Sequence, residues 1–334
     1  MISAMKLVLA LVIGAALGPL GVVRTARAHV QDGLPERPWW AVWDLRPDVI
    51  ALLALAAALY VSGWLRLRRR GGGAAAPTWR LASYLGGLAL LALALLSALD
   101  VYGSLLFSVH MVQHLFLMLL APPFLFWGRP LAVSLWGLPS ALRRRLRGPL
   151  AGPARLRRAL TWLSRPAQAW LVYLAVLTAW HLPAAYGAAQ GNSLIHDLEH
   201  LSFFGSAFLF WWHVFAAPPH WHGLLGLGRR MAYLVAAFVH SQILGIVLAF
   251  APVPLYPYYA ERGGALGWSV MDDQAASGAI MWVPGGLVYG VAMIVLAAAL
   301  LDKEARDVAK RYPPRASRTP SAGSQPRTSA HKPT

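Results

Sequence analysis

Long apolar stretches, separated by short polar or basic segments, dominate the chain. A helix that crosses a membrane needs about 20 mainly apolar residues, and seven stretches after the N-terminal segment are close to that length. They cover residues 48–65, 80–99, 108–127, 167–183, 195–216, 230–251 and 276–301. The pattern predicts an all-α, polytopic membrane protein in which residues 48–301 form a bundle of seven transmembrane helices.

The first 28 residues have the organisation of a secretory signal peptide. Lys6 supplies a positive charge, residues 7–17 are apolar, and Ala26-Arg27-Ala28 matches the small-residue pattern of a cleavage site. We expect cleavage after Ala28, which leaves residues 29–47 as an outer, periplasmic segment. The alternative is an uncleaved additional helix, but its two arginines would then lie on the outer side of the membrane.

Basic residues are concentrated on one side of the predicted bundle. Most of the 30 Lys and Arg residues lie after the first and third spans, before the sixth, and in the tail, residues 302–334. Most of the 13 acids lie on the opposite side. Since basic loops stay in the cytoplasm, we expect an outer N-terminus and a cytoplasmic C-terminus in a bacterial plasma (inner) membrane.

The basic loops and the tail have simple physical interpretations. We interpret the loops as topology determinants beside the lipid bilayer and not as a nucleic-acid surface. The tail is rich in Pro, Ser, Thr and Arg, has little to bury, and is expected to be disordered. The chain contains no cysteine, which excludes disulfides and thiolate metal sites.

Two pairs of histidines stand four residues apart inside predicted spans. His110 and His114 lie at the outer end of the third span, and His196 and His200 at the outer end of the fifth. Residues i and i+4 share one face of a helix, so each pair presents two imidazoles in one direction. His181, at the outer end of the fourth span, lies at the same depth. Because ionisable groups in a bilayer are costly and usually functional, we predict one metal or haem site for these five histidines.

Neighbouring side chains complete the set of candidate ligands. Met111 flanks the first pair and Asp197 the second, and a thioether beside imidazoles favours copper. His240, near the middle of the sixth span, could be a deeper ligand, a relay or a helix–helix hydrogen bond. Asp273 begins the seventh helix at the depth of the histidines, although capping would also explain it. The predicted metal residues are His110, His114, His196, His200, His181, Met111, His240, Asp197 and Asp273.

Several motifs together resemble the polytopic CtaG family of cytochrome c oxidase assembly factors, over residues 48–301. They are His110-Met-Val-Gln-His114-Leu, Ala121-Pro-Pro, Gly128-Arg-Pro, His196-Asp-Leu-Glu-His200 and Asp273-Gln-Ala-Ala-Ser-Gly. The resemblance implies a membrane factor that delivers copper to a caa(3)-type oxidase, with cytochrome c oxidase subunits and the lipid bilayer as partners. It implies site roles for His110, His114, His196, His200, Asp273 and Gln274.

Two other functions remain open from the residues. One is a membrane b-type cytochrome, in which histidines from two helices bind a haem. The other is a copper or proton transporter, in which His240 extends the outer site into a path. An enzyme is not expected, since the sequence shows no credible pairing of a nucleophile with a base.

Overall fold

The computed structural model describes residues 38–74, 76–145, 154–218 and 222–311. Regular secondary structure in these residues is helical, apart from a β-bridge between Ala265 and Trp268. The predicted signal peptide, residues 29–37 of the predicted outer segment and residues 312–334 of the predicted tail lie outside the described residues.

Fourteen α-helices follow one another in the described residues. Those of the first half are α1 (Pro47–Arg69), α2 (Thr78–Leu96), α3 (Ala98–Gly103), α4 (Phe107–Leu115), α5 (Ala121–Trp127), α6 (Pro130–Gly137) and α7 (Ser140–Arg145). Those of the second half are α8 (Ala154–Leu163), α9 (Pro166–Trp180), α10 (Pro183–Gly191), α11 (Ser193–Val214), α12 (Leu227–Phe250), α13 (Pro257–Ala260) and α14 (Val270–Arg311). A 3₁₀ turn at Trp39–Ala41 precedes α1, and a π-helical segment at Phe116–Leu120 joins α4 to α5.

Five helices in the described residues are long and apolar enough to cross a membrane: α1, α2, the continuous Phe107–Trp127 helix, α12 and α14. Helices α9 and α10 reach this standard only as a pair, and they are bent by 74° where they meet. The structure therefore contains five candidate spans, or six with the bent pair, and the predicted seven are not confirmed. Helix α11, the predicted fifth span, is not among them because its first half carries ionisable side chains.

A proline ends the predicted fourth span early. The prediction covers residues 167–183, whereas α9 ends at Trp180. Pro183 disfavours a helical conformation at the residue before it, and Leu182 is extended, with φ −71° and ψ 131°. The chain therefore turns here and begins α10 at Pro183.

The last helix is longer than the sequence predicts. It runs from Val270 to Arg311, whereas the predicted span covers residues 276–301. Residues 302–311, expected to begin a disordered tail, are helical. Salt bridges at i, i+4 spacing stabilise this extension, namely Asp302–Arg306 at 2.6 Å and Lys303–Asp307 at 3.1 Å.

The π-helical segment contacts both helices that carry the paired histidines, since it follows α4 directly and accepts a hydrogen bond from α11. Pro122 has no N–H, so the Met118 carbonyl lacks the donor that a regular α-helix would supply. The indole Nε1 of Trp211, on α11, donates to this carbonyl at 2.9 Å. Irregular helical turns of this kind often occur at functional sites. The hydrogen bond fixes α11 against the helix that contains α4.

Close backbone contact brings α12 against α14. A Cβ atom at Gly278 would lie 2.3 Å from the backbone nitrogen of Ala249, and one at Gly245 would lie 3.0 Å from that of Trp282. Small residues permit this approach between membrane helices. Helix α14 also packs against α4, so its outer end helps to position the first histidine pair.

Candidate metal centre

Helices α4 and α11 bring the four paired histidines together, and all four are buried. The ring centroids are 4.2 Å apart for His110 and His114, and 4.1 Å apart for His196 and His200. Between the helices, they are 5.4 Å apart for His110 and His196 and 5.5 Å apart for His114 and His200. The two histidine pairs therefore face each other across the helix contact.

A buried carboxylate, that of Glu199, lies among these imidazoles. Its Oε1 atom is 3.8 Å from His110 Nε2 and 3.7 Å from His114 Nε2, and the side chain is 0% exposed. Among the described residues, neither oxygen of Glu199 has a hydrogen-bond partner, nor have His110 Nε2 and the two ring nitrogens of His114. One ligand atom from each of His110, His114, Glu199 and His200 lies within 4.8 Å of the others. We call these four residues the inner site.

The geometry of the inner site fits a metal ion. Imidazole and carboxylate ligands bind an ion such as zinc at about 2.0–2.2 Å, so tetrahedral neighbours lie about 3.3–3.5 Å apart. The distances of 3.7 and 3.8 Å between Glu199 and the two imidazoles are close to this spacing and too long for hydrogen bonds. A buried carboxylate without a partner is costly. A single cation would compensate its charge and use the unpaired lone pairs of the imidazoles.

Asp273 holds the beginning of α4. Its oxygens accept hydrogen bonds from the backbone N–H of Phe107 at 2.7 Å and of Ser108 at 3.0 Å. The carboxylate thus satisfies two N–H groups that a helix leaves unpaired at its start, although it comes from α14. Both oxygens of Asp273 serve this capping role, and Asp273 does not belong to the inner site.

Asp197 forms an ion pair on another side of α11. Its oxygens lie 2.5 and 3.0 Å from the guanidinium of Arg46, which also bonds Asp48 at 3.0 Å. Burial lowers the pKa of Arg46, but the hydrogen bonds to Asp197 and Asp48 outweigh burial and leave that pKa raised. Successive helical residues are rotated by about 100°, so Asp197 lies on a different face of α11 from His196 and His200. Asp197 therefore pairs with Arg46 and does not belong to the inner site.

His240 lies at a contact between two helices. Its Nε2 atom lies 2.9 Å from Thr178 Oγ1, which links α12 to α9. A hydrogen bond between two helices accounts for a polar side chain at this position. The structure does not bring His240 into the inner site.

A cavity of about 40 Å³ adjoins the inner site at His114. Its wall includes two of the predicted ligands, Met111 and His181, together with two further thioethers, Met118 and Met281. A cavity of this size holds a water molecule or an ion. Met111 and His181 therefore lie beside the inner site and not within it.

His181 occupies the bend between α9 and α10. Its Nδ1 lies 2.6 Å from the Leu177 carbonyl, so Nδ1 carries the proton and Nε2 the lone pair. That Nε2 is buried and has no hydrogen-bond partner in the described chain. The hydroxyl of Tyr256 donates to the His181 carbonyl at 3.0 Å. Burial and the charge of Glu199 raise the pKa of Tyr256, which keeps this donor protonated.

Helix α10 supplies two buried neighbours of His110. Gln190 Nε2 lies 3.5 Å from His110 Nδ1, and the ring centroid of Tyr186 lies 5.3 Å from that of His110. The Tyr186 and Tyr259 hydroxyls are 2.7 Å apart, and Tyr259 donates to the Gly103 carbonyl at 2.7 Å. Contact at Nδ1 orients the His110 ring so that Nε2 faces Glu199.

The structure adds two acidic residues that the predicted ligand set omits. Glu199 enters the inner site, and Asp100 forms a second group with His196 and His200, with one ligand atom from each within 4.8 Å of the others. Spacing could have identified Glu199, since it lies three residues after His196 and faces the same side of α11. Asp100 lies in the short helix α3, and no spacing connects it to the histidines.

Comparison with known proteins gives a family and several distant relatives. The family model of the cytochrome c oxidase caa3 assembly factor (Caa3_CtaG) matches residues 58–303. An uncharacterized protein of Mycobacterium leprae is 26% identical over 280 residues, which cover 79% of this chain and 41% of that protein. Uncharacterized proteins of Mycobacterium bovis and Mycobacterium tuberculosis are each 28% identical over 257 residues, covering 75% of this chain and 38% of theirs. The chain thus spans about two fifths of the length of these relatives, and no solved structure matches it.

Proposed function

The chain belongs to the family of cytochrome c oxidase caa3 assembly factors, and we propose that it binds copper at the inner site and delivers it to the oxidase. The observation that carries this proposal is the carboxylate of Glu199, buried between the Nε2 atoms of His110 and His114. Within the described residues none of these atoms has a hydrogen-bond partner. Three imidazoles and one carboxylate form a ligand set suited to a divalent transition metal.

The side chains around the adjoining cavity favour copper as the cargo. Three thioethers, those of Met111, Met118 and Met281, line the same cavity as the rings of His114 and His181. Thioethers are soft ligands and suit Cu(I). The reduced ion would therefore find soft ligands beside the inner site, in a chain without cysteine.

The crowding of the imidazoles favours an ion over a haem. Each ring lies within about 6 Å of neighbours in more than one direction, and Glu199 lies close to two of them. A haem needs a planar slot between its two axial imidazoles. For this reason we rank a membrane b-type cytochrome second to a copper-binding protein. A haem absorption band in the purified protein would support the cytochrome.

Delivery requires ligand exchange and no covalent chemistry. Imidazole and carboxylate ligands are displaced one at a time, while the Asp273 cap and the Arg46–Asp197 pair hold α4 and α11 in place. We therefore expect a metal chaperone and not an enzyme. A copper or proton transporter is the remaining alternative, and the hydrogen bond of His240 to Thr178 favours a structural role for that histidine.

The proposed membrane arrangement has seven spans, with α11 as one of them. Its 22 residues extend about 33 Å at 1.5 Å per residue, enough for a hydrocarbon core of about 30 Å. Many of its side chains are buried in the bundle, so it does not need a fully apolar surface. With basic loops in the cytoplasm, the inner site lies near the outer face of a bacterial plasma membrane, after cleavage of the signal peptide.

Elemental analysis of the purified protein, combined with an absorption spectrum, tests the proposal directly. We expect bound copper and no haem band. Replacement of His114 by Ala should remove the copper while the protein still inserts in the membrane. A strain that lacks the protein should lose oxidase activity while it keeps the oxidase transcript. Normal oxidase activity in that strain, or full copper content in the variant, would contradict the proposal.

A further inference from the structure

A second group of metal-ligand atoms lies next to the inner site and shares one residue with it. One ligand atom from each of Asp100, His196 and His200 lies within 4.8 Å of the others. His200 is also a member of the inner site. We call Asp100, His196 and His200 the outer site, since Asp100 is only partly buried whereas every side chain of the inner site is buried.

The position of Asp100 is fixed by the helix that carries the first histidine pair. The side-chain amide of Gln113, on α4, donates to Asp100 Oδ1 at 2.8 Å and to the Ala94 carbonyl at 2.8 Å. Gln113 is itself fully buried. Residues that hydrogen-bond to a ligating carboxylate orient it toward the metal. Asp100 is therefore held in place with respect to both sites.

We infer that the outer site is a transit position, through which a metal ion enters and leaves the inner site while it stays bound to His200. This inference rests on the proposed function, since it requires that the inner site binds a metal. The lone pair of one neutral imidazole binds one ion, so His200 cannot serve both sites at once. A single ion alternates between the two sites. In the outer site it binds Asp100, His196 and His200. In the inner site it keeps His200, while His110, His114 and Glu199 replace Asp100 and His196.

The ligand types fit this order. The outer site offers two imidazoles and one carboxylate, whereas the inner site offers three imidazoles and one carboxylate, so the outer site holds the ion more weakly. The inner site is closed to solvent and adjoins the cavity that contains the thioethers. A weak, partly exposed position next to a strong, buried one allows an ion to move without passing through a state that lacks ligands.

The experiment measures copper exchange in purified full-length protein with Asp100 replaced by Asn. Cu(I) is supplied to the protein and then withdrawn by a chromogenic Cu(I) chelator in excess. The Asn side chain is isosteric and can still accept the hydrogen bond of Gln113, so the fold is retained. The matched control is Asp272→Asn, which changes an exposed acid at the start of α14.

We expect one copper per chain in the wild type and in both variants. In Asp100→Asn, binding and release should both slow by on the order of tenfold, with an unchanged dissociation constant, because only the intermediate position is weakened. Asp272→Asn should exchange copper at the wild-type rates. An Asp100→Glu variant, which restores a carboxylate, should recover part of the rate.

Each contrary result has a distinct meaning. A wild-type protein that binds no copper overturns the proposed function. Wild-type exchange rates in Asp100→Asn overturn the transit position alone. A larger dissociation constant in that variant would mean that Asp100 is a permanent ligand. Two coppers per wild-type chain would mean that the two sites bind independently. Both results overturn the inference while copper binding stands.

Discussion

Replacement of Glu199 by Gln removes the negative charge of the inner site with almost no change of shape. The carboxylate is 0% exposed and lies 3.7 and 3.8 Å from two imidazoles. Loss of residues that only support a ligand weakens metal affinity by about 10–100-fold, so loss of a ligand should cost about 100-fold or more. That factor corresponds to about 2.7 kcal/mol of binding free energy.

The effect is measured as the copper-dependent shift in the thermal unfolding of the detergent-solubilised protein. At a free copper concentration of 100 times the dissociation constant, binding stabilises the wild type by about 2.7 kcal/mol. A variant that binds 100-fold more weakly gains only about 0.4 kcal/mol at the same concentration. Without copper, Glu199→Gln should melt no lower than the wild type, because a neutral amide replaces a buried carboxylate.

Asp197→Asn is the matched control, two residues away on the same helix. It weakens the ion pair with Arg46, so it should lower the melting temperature without copper and keep the full copper-dependent shift. Glu199→Gln should therefore lose the copper-dependent shift but keep its melting temperature without copper, and Asp197→Asn should do the reverse. A wild-type copper shift in Glu199→Gln would refute the assignment of Glu199 as a ligand.

Three further predictions concern the inner site and the helices around it. His114→Ala should abolish stoichiometric copper binding, whereas His240→Ala should keep it, as measured by elemental analysis; loss in both would return His240 to the ligand set. Asp273→Ala should lower the free energy of unfolding by about 0.5–2 kcal/mol, the cost of a lost helix cap, with copper content retained. Gly278→Val should separate α12 from α14 and lower the melting temperature by more than Gly290→Val, where no neighbouring atom lies within 4 Å of an added Cβ. Equal effects of the two glycine variants would show that the close contact contributes little.

The sequence predicted the helical class and most of the membrane helices because long apolar runs are a local property. Apolar runs are less informative where ionisable side chains interrupt them. Helix α11 falls short of the apolar standard for a span because it carries His196, Asp197, Glu199 and His200. The bend between α9 and α10 follows from Pro183, a signal present in the sequence but not used to end the span.

The direction of each acidic side chain could not be read from its position in the chain. Asp197 and Glu199 both flank the second histidine pair, yet one pairs with Arg46 and the other enters the inner site. The difference depends on which element packs against each face of α11. Asp273 likewise matches the depth of the histidines, but the start of α4 lies against it and takes both of its oxygens.

The sequence by itself determined that each pair, His110 with His114 and His196 with His200, lies on one face of its helix, because the helical repeat fixes the relation of residues four apart. Only the tertiary structure decided that the two faces meet, that Glu199 completes the inner site and that Asp100 approaches His200. Contacts between residues far apart in the chain depend on how helices pack, and packing is decided by the whole set of surrounding side chains.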